Sequence, residues 1–131
     1  MYIRKTAVNL NCGLDLVAEV LGGKWKTRLL YFIAQGTLRP GELHRRIPGA
    51  TLRVVLLQLK ELEKHELVYK TIYAEMPPRV EYQLSALGRS LVPLVDTLGQ
   101  WGDEHAPQLR QAIERQLSEI TDVPPPAPLP R

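Results

Sequence analysis

Between Leu67 and Leu84 the apolar side chains stop recurring every three or four residues and begin to recur every second one. Residues 67–75, LVYKTIYAE, are rich in β-branched and aromatic types, and Val80, Tyr82 and Leu84 alternate with Glu81 and Gln83. Met76-Pro77-Pro78-Arg79 lies between, and its two prolines cannot donate ladder hydrogen bonds. The pattern predicts a two-stranded hairpin with a proline-stiffened tip. A hairpin alone is marginal in water, so this one must pack on the rest of the chain, which reads as helix.

Asn11 is placed to cap a first helix carrying Leu14, Leu16, Val17, Val20 and Leu21, which Gly22-Gly23 ends. A second helix runs from about Lys24 to Gln35, with Trp25, Leu29, Phe32 and Ile33 as one buried stripe. Trp25 therefore reads as core and not as a stacking platform. Pro40 opens a short helix with Leu43 and Ile47 four apart, closed by Pro48-Gly49. Thr51 can cap the next, through about His65. Val55, Leu59 and Leu62 fall on one face of it, and Arg53, Leu57, Lys60 and Lys64 on the opposite face. After the hairpin, Ser85 caps a long helix to about His105, along which Leu84, Leu87, Leu91, Leu94, Leu98 and Trp101 recur at three and four. Pro93 within it should kink it or remove one backbone bond. A last helical pattern follows Pro107, with Leu109, Ile113, Leu117 and Ile120, before the proline-rich PPPAPLPR. The fold class is mainly α with a small β-hairpin. Helices followed by a hairpin describe a winged helix-turn-helix with a long C-terminal helix.

Charge points the same way. Residues 24–70 hold ten basic side chains against four acidic ones, within a chain of 131 residues whose formal net charge is only +3. Such a concentration is a phosphate footprint or a solvated basic surface. The single cysteine excludes an intrachain disulfide framework and a zinc site built from Cys pairs. His44, His65 and His105 share no metal-ligand spacing, so no metal and no cofactor is expected. There is no phosphate loop and no serine-nucleophile motif, and the chain is not read as an enzyme. No apolar run approaches the ~18 residues of a membrane span. MYIRKTAVNLN lacks the apolar core and cleavage site of a secretory signal, so a cytoplasmic protein is expected.

Several blocks in order carry a resemblance. They are Cys12, Gly22-Gly23-Lys24-Trp25-Lys26, Gly41-Glu42-Leu43, Ile47-Pro48-Gly49, Gln58-Leu59-Lys60-Glu61-Leu62-Glu63, residues 73–82 (YAEMPPRVEY) and Trp101-Gly102. Over about residues 12–105 the chain resembles the HxlR family of bacterial and archaeal regulators, which are MarR-related winged-helix proteins. The resemblance implies a homodimeric transcription regulator that binds double-stranded DNA and dimerises through its terminal helices. It divides the chain into an N-terminal arm (1–11), a winged-helix domain (12–105), a dimerising C-terminal helix (106–122) and a proline-rich tail (123–131). Leu91, Leu94, Leu98, Trp101, Ile113 and Leu117 are the dimerisation candidates.

The expected DNA-binding residues are Arg39, Arg45, Arg46, Thr51, Arg53, Leu57, Lys60, Lys64 and Arg79. Arg53, in the first turn of the reading helix, can pair bidentately with guanine or contact a phosphate. Lys60 and Lys64 suit phosphates or plain surface charge. Thr51 can cap its helix, touch a phosphate, or both. Arg39, Arg45 and Arg46 flank the helix that crosses the DNA backbone in this docking mode. Arg79 suits the minor groove or a phosphate, or a salt bridge to Glu75 or Glu81. Leu56 departs from the family, which usually has a small hydroxyl residue there. Cys12, at a helix start where unpaired N–H groups favour a thiolate, is the candidate sensor of an oxidant or small-molecule effector. The competing reading is a winged-helix interaction module with weak or non-specific DNA binding, holding a protein partner on Leu56 and Leu57.

Overall fold

A computed structural model describes residues 7, 9–36 and 38–121 of the chain. The proline-rich tail and most of the N-terminal arm lie outside the described residues. Six helices and one hairpin follow in the order α1 (Gly13–Leu21), α2 (Lys26–Ala34), α3 (Pro40–Arg46), α4 (Leu52–Lys64), β1 (Val68–Tyr73), β2 (Arg79–Leu84), α5 (Ala86–Glu104) and α6 (Ala106–Thr121). They form two compact units, Met1–Val95 and Asp96–Arg131. The first is a winged helix-turn-helix.

Its core is built by the stripes the periodicity predicts. Leu29, Leu30 and Ile33 of α2, Leu43 of α3 with Ile47 just after it, and Val55, Leu59 and Leu62 of α4 are buried together with Leu67, Val68, Tyr82 and Leu84. Leu30 is a core residue that the predicted α2 stripe omits. Trp25 stands at the N-cap of α2, half-buried against the same core, so α2 begins two residues later than predicted. Asn11 is not the cap of α1; Cys12 is. The reason is a turn: Asn11 N–H donates to Asn9 Oδ1 at 3.0 Å and Cys12 N–H to the Asn9 carbonyl at 3.2 Å, which delays the helix by one residue. No residue of α1 is buried.

The strands pair antiparallel, with Val68 opposite Leu84, Lys70 opposite Tyr82 and Ile72 opposite Val80 on one face. Burial along this face fades toward the tip: Val68 and Leu84 are in the core, while Ile72 is 63% exposed. The hairpin thus buries its base in the core, while its tip stays at the surface beside the start of α3. Leu38 adds a rung on the other edge, its carbonyl accepting from Tyr82 N–H at 2.8 Å.

The joint between hairpin and α5 is tight. Ser85 Oγ accepts from Gly88 N–H at 3.0 Å, the predicted cap, and donates to the Glu66 carbonyl at 2.6 Å. Gly88 is buried so close to β1 that a Cβ there would meet the Leu67 carbonyl oxygen at 2.1 Å. Leu91 and Val92 of α5 are partly buried against the core. Pro93 lies inside α5, which runs unbroken to Glu104. In the second unit, α5 meets α6 at His105, whose ring stacks on Trp101 with centroids 4.8 Å apart. Helix α6 starts at Ala106, one residue before Pro107.

Candidate nucleic-acid interface

Helices α3 and α4 form the helix-turn-helix pair. Pro40 is pre-organised for the first turn of α3, and residues 47–51 make the turn. Gly49 takes φ +106°, a left-handed conformation that glycine adopts without a steric penalty. Thr51 then caps α4, its Oγ1 accepting from Val54 N–H at 3.1 Å. This is the capping role expected of it. With Val55, Leu59 and Leu62 turned inward, α4 presents Leu52, Arg53, Leu56, Leu57, Lys60 and Lys64 to solvent.

Arg53, Lys60 and Lys64 therefore share the outer surface of one helix, as the sequence predicts. Arg45 and Arg46 are exposed in the last turn of α3. Arg28 reaches across from α2, its Nη2 donating to the Arg46 carbonyl at 3.3 Å. Arg28 extends the basic surface and was not among the expected site residues, although its charge was visible in the basic segment.

The wing differs in its electrostatics. Arg79 donates through Nη1 to Glu81 at 2.9 Å and lies 2.9 Å from Glu75 through Nη2, with its guanidinium 3.9 Å from the Tyr73 ring centroid. Desolvation works against its charge, but the Glu75 and Glu81 carboxylates more than offset that and hold its pKa above the ordinary guanidinium value. Arg39 approaches the same cluster, at 4.0 Å from Glu81 and 3.9 Å from Glu42. Both arginines are thus engaged with carboxylates of their own chain. The open cleft beside them is lined by Arg39 and Pro40 on one side and by residues 75–80 of the hairpin on the other.

One residue the sequence reading passed over ties α4 to α2. Lys26 is buried, and its Nζ donates to Glu61 Oε1 of α4 at 2.7 Å. The signal was available: Lys26, Leu29, Leu30 and Ile33 fall at i, i+3, i+4 and i+7, so the lysine stands on the buried stripe of α2.

Cys12 is partly exposed at the N-cap of α1, with no side-chain capping bond. Of the dimerisation candidates, Leu94, Leu98, Trp101, Ile113 and Leu117 are exposed, while Leu91 is half-buried on the core of its own chain. Leu87 and Ile120 are exposed too. Among the described residues, no group of three or more His, Cys, Asp or Glu side chains could hold a metal ion, and no helix is long and apolar enough to cross a membrane.

This fold, with a basic second helix and a projecting hairpin, defines a winged-helix transcription regulator. Residues 20–110 match the HxlR-like helix-turn-helix family, and the chain belongs to it. The HTH-type transcriptional regulator YkvN of Bacillus subtilis is 44% identical over 98 residues, covering 75% of this chain and 83% of its own. Among solved structures, the redox regulator HypR in its reduced form superposes with a TM-score of 0.72 at 37% identity, over 76% of this chain and 99% of that one. A MarR-family regulator from Porphyromonas gingivalis gives 0.65 at 33% identity, over 77% and 98%.

Proposed function

We propose that the chain works as a homodimeric, cytoplasmic regulator whose α4 reads operator half-sites in the major groove while the wing touches flanking DNA. The observation that carries this reading is the exposed face of α4, where Arg53, Lys60 and Lys64 stand on the second helix of the pair. Arg53 lies in the first turn, the part of a reading helix that meets base edges. Lys60 and Lys64, with Arg45 and Arg46 of α3, take phosphates. The exposed apolar residues of α5 and α6 supply the surface for a second copy, setting two half-sites about one helical turn or a multiple apart. Arg79 and Arg39 join the contact only by exchanging a carboxylate for a phosphate.

The test compares Arg53→Ala with Arg79→Ala on the same duplexes. Arg53→Ala relaxes sequence preference; a loss equal on all sequences would make Arg53 a phosphate contact. Arg79→Ala lowers the salt slope of binding by about 0.9 if it takes one phosphate. An unchanged slope would leave Arg79 as a brace of the wing.

Cys12 is the proposed redox or electrophile sensor, a reading supported by the likeness to HypR, a redox regulator. With one cysteine per chain, oxidation joins Cys12 to a thiol of another molecule, either a second copy or a small thiol, and passes two electrons and two protons to the oxidant. Oxidant or alkylating agent then changes DNA affinity in the parent and not in Cys12→Ser; an unchanged parent would reject the role. A second reading, a module that holds a protein partner, is favoured only by the exposure of Leu56 and Leu57.

A further inference from the structure

The base-facing end of α4 carries little that can hydrogen-bond. Its first two turns expose Leu52 (43%), Leu56 (43%) and Leu57 (51%), and Arg53 is the only charged side chain among them. The cationic residues Lys60 and Lys64 come in the later turns. Going round the axis at about 100° per residue, Arg53 falls between Leu56 and Leu57. A helix merely solvated on this side would need no leucines there. A helix seated on base pairs would turn these leucines toward base edges.

We infer that α4 selects half-sites by their thymine methyl groups, with Leu56 and Leu57 as the specificity-determining residues on either side of a guanine held by Arg53. The inference rests on the DNA-reading proposal above and adds what is read. Among the major-groove edges, only thymine offers an apolar group, its C5-methyl; guanine, cytosine and adenine offer donors and acceptors. A leucine over a thymine removes methyl surface from water on both sides. The same leucine over a G·C pair strips water from O6, N7 or N4 and returns no partner. Selection therefore comes from attraction and rejection together. Arg53 among the leucines and Lys60 and Lys64 further along the same helix, with Arg45 and Arg46 exposed at the end of α3, supply the charge complementarity that brings a polyanion, and not an apolar protein surface, onto this face.

The experiment selects bound sequences from a duplex library with a randomised core, using the full chain. The selected duplex is then remade with deoxyuridine in place of each thymidine in turn, which deletes one methyl and keeps the base pair. The inference predicts a guanine flanked by thymines, and about fourfold weaker binding for each contacted methyl removed. It further predicts that Leu56→Ser with Leu57→Ser binds the thymine and uracil duplexes alike. Both positions are exposed, so the double variant keeps the fold. A selected sequence bound equally well with uracil overturns the methyl readout and leaves the DNA-reading proposal standing. No enriched sequence at all overturns both and gives the leucine face to a protein partner.

Discussion

Lys26 is buried on the inner face of α2, and its ammonium group meets the half-exposed carboxylate of Glu61. Its partner Glu61 belongs to α4, so the pair pins α4 to α2 at the distance of one hydrogen bond. Glu61→Gln should cost about 1–3 kcal/mol, since the buried donor loses its charged acceptor; urea denaturation checks it. Tyr82 offers a second test. Burial, then the nearby Glu63 charge, pushes its phenol above the ordinary value. The folded state therefore holds this proton where the unfolded chain has released it, and stability falls as pH rises above about 10. Tyr82→Phe should remove that part of the alkaline loss; an identical pH profile in the variant would reject the assignment. The sequence made Thr51 legible because a cap needs only a hydroxyl at the right position. It did not reveal Cys12 as the α1 cap, because the Asn9 side chain closes a turn that no periodicity records. It offered Arg79 a salt bridge to Glu75 or to Glu81, and Arg79 makes both at once, because Glu81 shares its face of β2 two residues on while Glu75 comes from the tip.

At the scale of elements, the hairpin, α4 and the caps Thr51 and Ser85 were readable, and the end of α4 and the close approach at Gly88 were not. Helix α4 ends without a glycine. Glu66 takes φ +63°, with Glu66 N–H donating to the Glu63 carbonyl and Leu67 N–H to the Leu62 carbonyl, both at 3.0 Å. That is a Schellman closure with glutamate where glycine usually stands. The buried pair Leu62 and Leu67 accompanies it, and burial of this pair replaces the usual turn signal. The hairpin's base meets α5 at Gly88, where a close approach excludes any side chain. Gly88→Ala should cost about 1–3 kcal/mol or more, because the obstacle is backbone and cannot rotate away. Wild-type stability in that variant, measured by thermal unfolding, would contradict the packing.

At the scale of the molecule, the fold follows from apolar spacing, whereas the proposed dimer rests on the exposed apolar residues of α5 and α6. Leu94, Leu98, Trp101, Ile113 and Leu117 would be costly ornaments on a monomer. Leu98→Glu should shift the chain toward monomer in sedimentation at micromolar concentration and keep its helix content. DNA affinity should fall with it, because two half-sites then have to be bound independently. A parent chain that sediments as a monomer would overturn the dimer. The proposed function stands or falls with sequence-specific reading of DNA by α4. Fluorescence anisotropy measures it most directly, using the duplex that flanks the protein's own gene and a scrambled duplex at two salt concentrations. Tighter binding to the native duplex, persisting at the higher salt, is the expected result. Equal binding to both that collapses with salt would contradict it and reduce the basic face to a general attraction for polyanions.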